Sequence, residues 1–414
     1  MPLFETQVTP DYGAMLRCLG GESRPERVYH LELYLDEEIK AAIAERFDLA
    51  KDLDAGDAFS IFKRDIAVHR FLGYDLFRIG LKGFDFPLNW RKAGDTTQEA
   101  DQERGERDWM DEHRGPIQSW EDFEQYPWPD ASNLDTRPLE WLERNLPDGM
   151  AVFELSMHEM ELLSWLFGFE SLCYKLYDKP DLVEAVAEKI GQLSLEHSRV
   201  LSQAECIGVL WGSDDMGFKS QSLLAPEQIR RLILPWHKKA VQIAHEHGKL
   251  YLLHACGNLE SLMEDLIEDV GIDAKHSFED LIEPVTEAKR RYGDRIALLG
   301  GIDMDLLCRG SEEEIRRRVR ETLDVCHPSG GYCLGSGNSI ANYMPLDNFL
   351  AMLDEGRRYG KGSRREWRRG SGVALFAGDA QPCEQVSLPL RKVADAPRRG
   401  EREGLLLGAL SSAS

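Results

Sequence analysis

The sequence predicts an α/β protein built as a single (β/α)8 TIM barrel, with an inserted loop region and a poorly ordered C-terminal tail. Three observations lead there. Between residues 27 and 340, short apolar or β-branched runs alternate with helical stretches, and eight such runs occur. An apolar content of 42% over 414 residues supplies material for a large core. Eight alternations favour a closed barrel over an open doubly wound sheet, because the eighth strand can pair with the first.

In chain order the runs are RVYHLEL (27 to 33), YDLFRIG (74 to 80), MAVFEL (150 to 155), CIGVLWG (206 to 212), KLYLLHA (249 to 255), IDAKHSF (272 to 278), RIALLGG (295 to 301) and GYCLGSG (331 to 337). Each is too short and too apolar for an amphipathic helix and reads as a buried strand. The segments between them carry helix signals. In LAPEQIRRLILPWHKKAVQIAHEHG, Pro226 suits a first helical turn and Gly248 a C-terminal cap. In SEEEIRRRVRETLDVC, Ser311 with Glu314 three residues on forms a capping box. Residues 1–26 are an N-terminal extension, and 27–360 make the barrel.

Two stretches break the pattern. Residues 82–130 hold 13 acidic and 6 basic side chains and are too long for an ordinary connector. Trp109, Trp120 and Trp128 would anchor this insertion, either as a lid over the barrel mouth or, the favoured reading, packed against its wall. Residues 361–414 hold 10 basic and 6 acidic side chains without a sustained period, and read as a disordered tail.

The net charge of −23 argues against nucleic acid and against an anionic membrane surface as partners. No apolar run approaches the roughly 20 residues needed to span a bilayer, and the N-terminus lacks signal-peptide architecture. Eight cysteines without a C-x-x-C pair suit a reducing compartment, so a cytoplasmic protein is expected.

In such a barrel the working groups sit at the C-terminal ends of the strands. Glu154 and His158 follow the third strand, Asp214 and Asp215 the fourth, His254 and Cys256 the fifth, His276 and Glu279 the sixth, Asp303 the seventh and Asn338 the eighth. His254 and Cys256, two apart on an extended strand end, both point into the mouth and suit zinc, which needs about three protein ligands and one open position. Cys333 or Glu154 would complete the set. Asp214 and Asp215 serve either as acid–base groups or as loop caps, and His276 as ligand, proton shuttle or structural donor. GSGNSI (335 to 340) offers Gly335 and Gly337 for close backbone approach to an anion, but Ile340 stands where a dinucleotide fingerprint needs glycine.

Taken together, HACGNLESLMEDLIEDVGIDA, RIALLGGIDMDLL and GYCLGSGNSIANYMPLDNFLAML, in this order and spacing, resemble the uroporphyrinogen decarboxylase superfamily. YPWPD, YDKPDLV and SDDMGF extend the resemblance over roughly residues 24–360. It implies a (β/α)8 barrel and one of two activities: metal-free decarboxylation of uroporphyrinogen, or zinc-dependent methyl transfer between corrinoid proteins and thiols or similar acceptors. The decarboxylases carry an arginine-rich segment where this chain reads RPERVYHLELYLDEEI, which favours the methyltransferase branch. On that resemblance His254 and Cys256 are zinc ligands, and Asn338 falls at the position of the third, with Cys333 five residues earlier. The third donor stays open between Cys333, Glu154 and Asp303. Asp214, Asp215 and Asp303 would position the acceptor or manage protons, with His276 as a further catalytic candidate, and Asn338, Gly335, Gly337 and His158 would contact a small-molecule substrate. The resemblance also implies a homodimer and a partner corrinoid protein. A metal-free decarboxylase, a mouth-carboxylate hydrolase and a non-catalytic tetrapyrrole or corrinoid binder are the alternatives.

Overall fold

Alternating side chains on short parallel strands sort themselves to two sides of one sheet, and this sorting builds the protein. The computed structural model describes residues 3–5, 7–54, 56–94, 106–111 and 113–366. The chain opens with α1 (Tyr12–Leu19), α2 (Glu37–Arg46) and α3 (Ser60–Leu72), then reaches the first ladder strand, β1 (Leu76–Arg78). The insertion contributes the antiparallel hairpin β2 (Trp90–Gly94) and β3 (Glu106–Met110), followed by α4 (Trp120–Gln125) and α5 (Arg137–Asn145). The third predicted strand is β4 (Ala151–Phe153) and β5 (Leu155–Ser156), interrupted at Glu154. Three helices follow: α6 (Glu159–Phe167), α7 (Phe169–Asp178) and α8 (Pro180–Gln203). Strand β6 (Val209–Ser213) leads to α9 (Pro226–Leu232) and α10 (Leu234–Glu246), and β7 (Leu250–His254) to a π-helical turn at Asp265–Val270. The remainder runs β8 (Ala274–His276), α11 (Val285–Tyr292), β9 (Ala297–Leu299), α12 (Met304–Arg309), α13 (Glu312–Cys326), β10 (Tyr332–Cys333) and α14 (Leu346–Glu366).

Strands β5 through β10 pair in parallel with their successive neighbours, and β1 pairs with β4. A bridge from Val152 to Ile207 joins the two sets. The predicted first strand, 27 to 33, keeps only a bridge position, His30 opposite Leu334: the Leu31 amide donates to Leu334 and the Leu334 amide to Tyr29. These contacts close the eighth strand onto the first, as expected. No ladder joins this segment to β1 among the described residues, and a cavity of about 840 Å³ lies along that gap.

Inside the barrel, Leu76, Phe153, Trp211, Leu252, Ala274, Leu299 and Cys333 form one apolar cluster. The expected N-terminal extension completes it: Met15, Cys18 and Leu19 of α1 belong to the same cluster, and Gly331 and Tyr12 hydrogen-bond across its base, to Cys18 and Gly149. α1 therefore plugs the N-terminal end of the barrel and leaves the opposite end for chemistry. Outward-facing Phe77, Val152, Leu210, Tyr251, Leu253 and Leu298 join the larger core under the helices.

Local expectations fare unevenly. The Ser311–Glu314 capping box is present in both directions. The single helix expected over 226 to 247 is broken at Ile233, because Pro235 lacks the amide that continuation requires. In the insertion, Trp128 packs against the core with Phe86, Phe123 and Tyr126, whereas Trp120 is half-exposed, and the side chain of Trp109 lies outside the described residues. α14 runs to Glu366, six residues beyond the boundary set from composition; residues 367–414 of the expected tail lie outside the described residues. No described helix is long and apolar enough to cross a membrane.

Candidate metal centre at the barrel mouth

Three side chains converge at the exits of β6 and β7. His254 ends β7, and Cys256 and Asp215 follow the strand ends by two residues; one donor atom from each lies within 4.8 Å of the other two. His254 Nε2 stands 3.4 Å from Cys256 Sγ and 3.4 Å from Asp215 Oδ1. Zinc bonds of about 2.0–2.3 Å in a tetrahedral arrangement put donors roughly 3.3–3.8 Å apart, so the set has the size of a metal site.

The local fold makes this convergence. Gly257 adopts φ +81°, a conformation costly for residues with a Cβ, and its backbone packs directly against that of Gly217. Gly217 donates to the Cys256 carbonyl and Asn258 to that of Phe218, clamping the two loops together. The Cys256 amide in turn donates to Asp215 Oδ1 at 2.8 Å. Asn338, arriving from β10, donates from Nδ2 to Cys256 Sγ at 3.3 Å. The residue that resemblance puts at the third-ligand position thus does reach the cluster.

Electrostatics sharpen the picture. Burial would raise the Asp215 carboxyl, but the His254 ring and the Cys256 amide outweigh it and hold it at about 2. Burial and the neighbouring Asp215 push the Cys256 thiol well above its ordinary value. His276 is fully buried at the end of β8 and is kept neutral by burial and by the charges of His254 and Lys275. Its Nε2 donates to the Ser336 carbonyl at 3.3 Å, so its Nδ1 accepts from His254 Nδ1 at 2.8 Å. This hydrogen-bond network assigns the tautomer and turns His254 Nε2 toward the Cys256 sulfur and the Asp215 carboxylate. Imidazole, thiol and carboxylate together are a donor set that fits zinc.

Several expected site residues take other roles. Cys333 is fully buried in the barrel interior among Leu299 and its neighbours, well inside the apolar cluster, and is absent from the metal set. Glu154 is also outside the set: it interrupts its own strand to accept the Leu81 amide at 3.1 Å, and burial pushes its carboxyl up to about 7 against the charge of Arg78. Asp303 caps α12 by accepting from Asp305 and Leu306, and accepts from Asp280 as well. Asp214 is completely buried; it accepts the amides of Met160 and Glu161 at the start of α6 and bonds His237, which bonds Tyr251. Of the aspartate pair, only Asp215 faces the mouth. His158 pairs with Glu161 at 2.9 Å; burial opposes its charge, but Glu161 prevails and its pKa is raised. The residue before it, Met157, is buried at φ +58°, a strained backbone that re-aims the β5 exit.

Gly335 and Gly337 do not form an anion cradle. A Cβ at Gly335 would sit 2.1 Å from the Leu31 carbonyl, so glycine is needed to close the barrel seam. The amides of Ser336 and Gly337 already bond Glu32 and Ile302.

Sequence reasoning missed two groups. Glu32 is fully buried and receives both the amide and the hydroxyl of Ser336; burial nevertheless raises its carboxyl to about 8. Because its folded pKa lies above the unfolded one, its contribution to stability is present at low pH and is lost as pH rises from about 4.5 to about 8. Glu32→Gln should flatten the wild-type fall in melting temperature over that window; an unchanged pH profile would count against it. Arg78, at the end of β1, is the second. Its sign in the sequence is a basic residue near the end of the run YDLFRIG.

Residues 106–359, more than half of the chain, match the family model for uroporphyrinogen decarboxylase. The chain belongs to the uroporphyrinogen decarboxylase family. Among its relatives are the uroporphyrinogen decarboxylases of Bordetella petrii, 27% identical over 199 residues covering 45% of this chain and 51% of that one, and of Cupriavidus necator, 26% identical over 202 residues covering 47% and 52%. The chain spans about half the length of the curated relatives it matches. A solved structure, a methyltransferase from Methanosarcina mazei, shares the fold with a TM-score of 0.60 at 16% identity, covering 84% of this chain and 98% of that one. Members of the uroporphyrinogen decarboxylase family are enzymes, both decarboxylases and methyltransferases, and the barrel predicted from the sequence is the architecture found.

Proposed function

We propose that this family member is a zinc-dependent methyltransferase that moves a methyl group from a corrinoid carried by a partner protein to a thiol or similar acceptor. The observation that carries this reading is the convergence of His254, Cys256 and Asp215, with Asn338 against the cysteine sulfur. The shared fold of the Methanosarcina mazei methyltransferase supports it. When bound, zinc supplies a positive charge that keeps a thiol acceptor deprotonated near neutral pH.

The chain's own residues do the rest. His276 holds the His254 ring so that Nε2 faces the mouth. Ser336 fixes His276 through its carbonyl, and Glu32 fixes Ser336, so a continuous line of hydrogen bonds supports the ligand from behind. Asp215, already ionised by its surroundings, contributes a negative donor without first losing a proton at neutral pH. Asn338 steadies the Cys256 sulfur. A homodimer is expected on the family's pattern.

The second reading, decarboxylation of uroporphyrinogen without a metal, is favoured by the names of the matched relatives. Against it, Arg27 of the RPERVYHLELYLDEEI segment is engaged by the buried Asp75, away from any incoming carboxylate.

Metal analysis by mass spectrometry on protein purified without chelator tests the proposal. About one zinc per chain is expected in the wild type, unchanged in Cys333→Ser and Glu154→Gln, with thiol methylation from methylcobalamin abolished by chelation. A metal-free wild type, or decarboxylation of uroporphyrinogen by chelated protein, overturns it.

A further inference from the structure

Arg78 forms no ion pair within bonding distance among the described residues, although Glu154 feels its charge. It is the last residue of β1, so its guanidinium stands at the barrel mouth. Its buried Nε has no hydrogen-bond partner among the described residues. Its only ring contact among the described residues is with Tyr34, whose centroid lies 5.2 Å from the guanidinium carbon. The other buried or half-buried cations nearby are paired: Lys40 with Asp65 and Arg27 with Asp75. An arginine is always ionised, and burying part of one without a partner costs stability unless something binds there.

What lies in front of it is room. Arg78 lines the cavity of about 840 Å³, within the range of small-molecule sites. On another wall of that cavity is Glu32, which reaches His254 through Ser336 and His276, so the cavity adjoins the metal centre through three residues. The acids lining it are engaged elsewhere: Glu32 holds Ser336, Asp36 accepts the Asn342 amide, Glu37 pairs with Lys40 and Arg64, Asp65 holds Lys40, and Asp135 holds Arg137. Glu154 and His158 are the titratable groups of the next strand exit that feel the Arg78 charge.

We infer that Arg78 is the anchor for a carboxylate group of the small-molecule substrate, with the body of that molecule in the cavity between the first strand segment and β1. A guanidinium edge and a carboxylate match as two parallel hydrogen bonds, which also fixes the substrate's orientation relative to the metal centre. The inference rests on the barrel mouth being the catalytic site proposed above, but not on a metal being present.

The test uses the full chain, before and after chelation, with benzoate and glutarate as probes, benzamide as the neutral control and inorganic phosphate as the rival anion, followed by saturation-transfer NMR and calorimetric titration. At least one carboxylate is expected to bind saturably, with affinity falling about tenfold or more in Arg78→Met and by less in Arg78→Lys. Benzamide binding and zinc content should be the same in the wild type and both variants. Arg78→Lys keeps the test decisive should Arg78→Met fail to fold. No saturable carboxylate binding, binding indifferent to Arg78, or phosphate bound in place of the carboxylates overturns the inference. Carboxylate binding through Arg78 in a chain that holds no zinc leaves this inference standing and removes the methyl-transfer reading; zinc bound with carboxylates indifferent to Arg78 does the reverse.

Discussion

Cys256→Ser is expected to lose zinc and with it methyl-transfer activity, while the barrel stays folded. Structural zinc sites are worth about 10–16 kcal/mol over their ligands, so one thiolate accounts for roughly 3 kcal/mol, about a hundredfold in affinity. The side chain is only partly buried and makes no contact that the core depends on: its neighbours are His254, Asp215, Ser277 and Asn338. Serine keeps the shape and replaces the soft sulfur donor by a hydroxyl that zinc binds poorly. Competition against a chromophoric zinc chelator reads the affinity, and thermal melting reads the fold. His276→Ala provides the graded comparison, since removing a group that orients a ligand costs about 10- to 100-fold. Zinc affinity unchanged in Cys256→Ser would remove this cysteine from the metal set and the mechanism with it.

Asp214→Ala, one residue before a proposed ligand, should do the opposite: large damage to stability, with the metal donors themselves intact. The carboxylate accepts two amides of the first turn of α6, at 2.7 and 3.1 Å, and His237 Nε2 at 2.9 Å, all in a fully buried position. Alanine leaves these three donors without partners in a space that water does not reach. Breaking a buried pair by removing one member costs about 3–5 kcal/mol. Asp215→Ala should cost little stability, because its side chain is 39% exposed, and should weaken zinc instead. Denaturant melts of the two variants side by side check the contrast. Equal destabilisation by both substitutions would show that the buried network is less important than its geometry implies.

These neighbours also show how far a sequence can be read. Strand periodicity locates both aspartates after the fourth strand, but it cannot say which one turns inward, because the answer depends on where α6 starts and on the loop clamped by Gly217 and Gly257. The same limit explains Cys333. By spacing it is a cysteine on the last strand, near a position where a third ligand is wanted. In the barrel it pairs with Leu299, and the residue is fully buried in the apolar cluster. Asp303 and Asp215 look alike as strand-end acids, yet one caps α12 and the other faces the metal donors.

What the sequence by itself determined is the architecture and the central pair. Eight apolar runs separated by capped helical stretches leave few ways to bury their strands, and a closed parallel barrel is the one that pairs the first with the eighth. His254 and Cys256 follow from the same periodicity, because an i, i+2 pair on an extended strand end must share a side. Only the tertiary structure decided the rest of the site. Asp215 is brought to Cys256 from another strand, Asn338 from the end of the chain's last strand, and His276 fixes the tautomer of His254 from a third. Those contacts join residues 22 to 82 positions apart, and no local preference specifies them; they exist because the barrel brings its strand ends to one rim. Arg78 illustrates the point from the other side: its charge is visible in the sequence, but that its buried Nε has no hydrogen-bond partner among the described residues is a property of the folded chain.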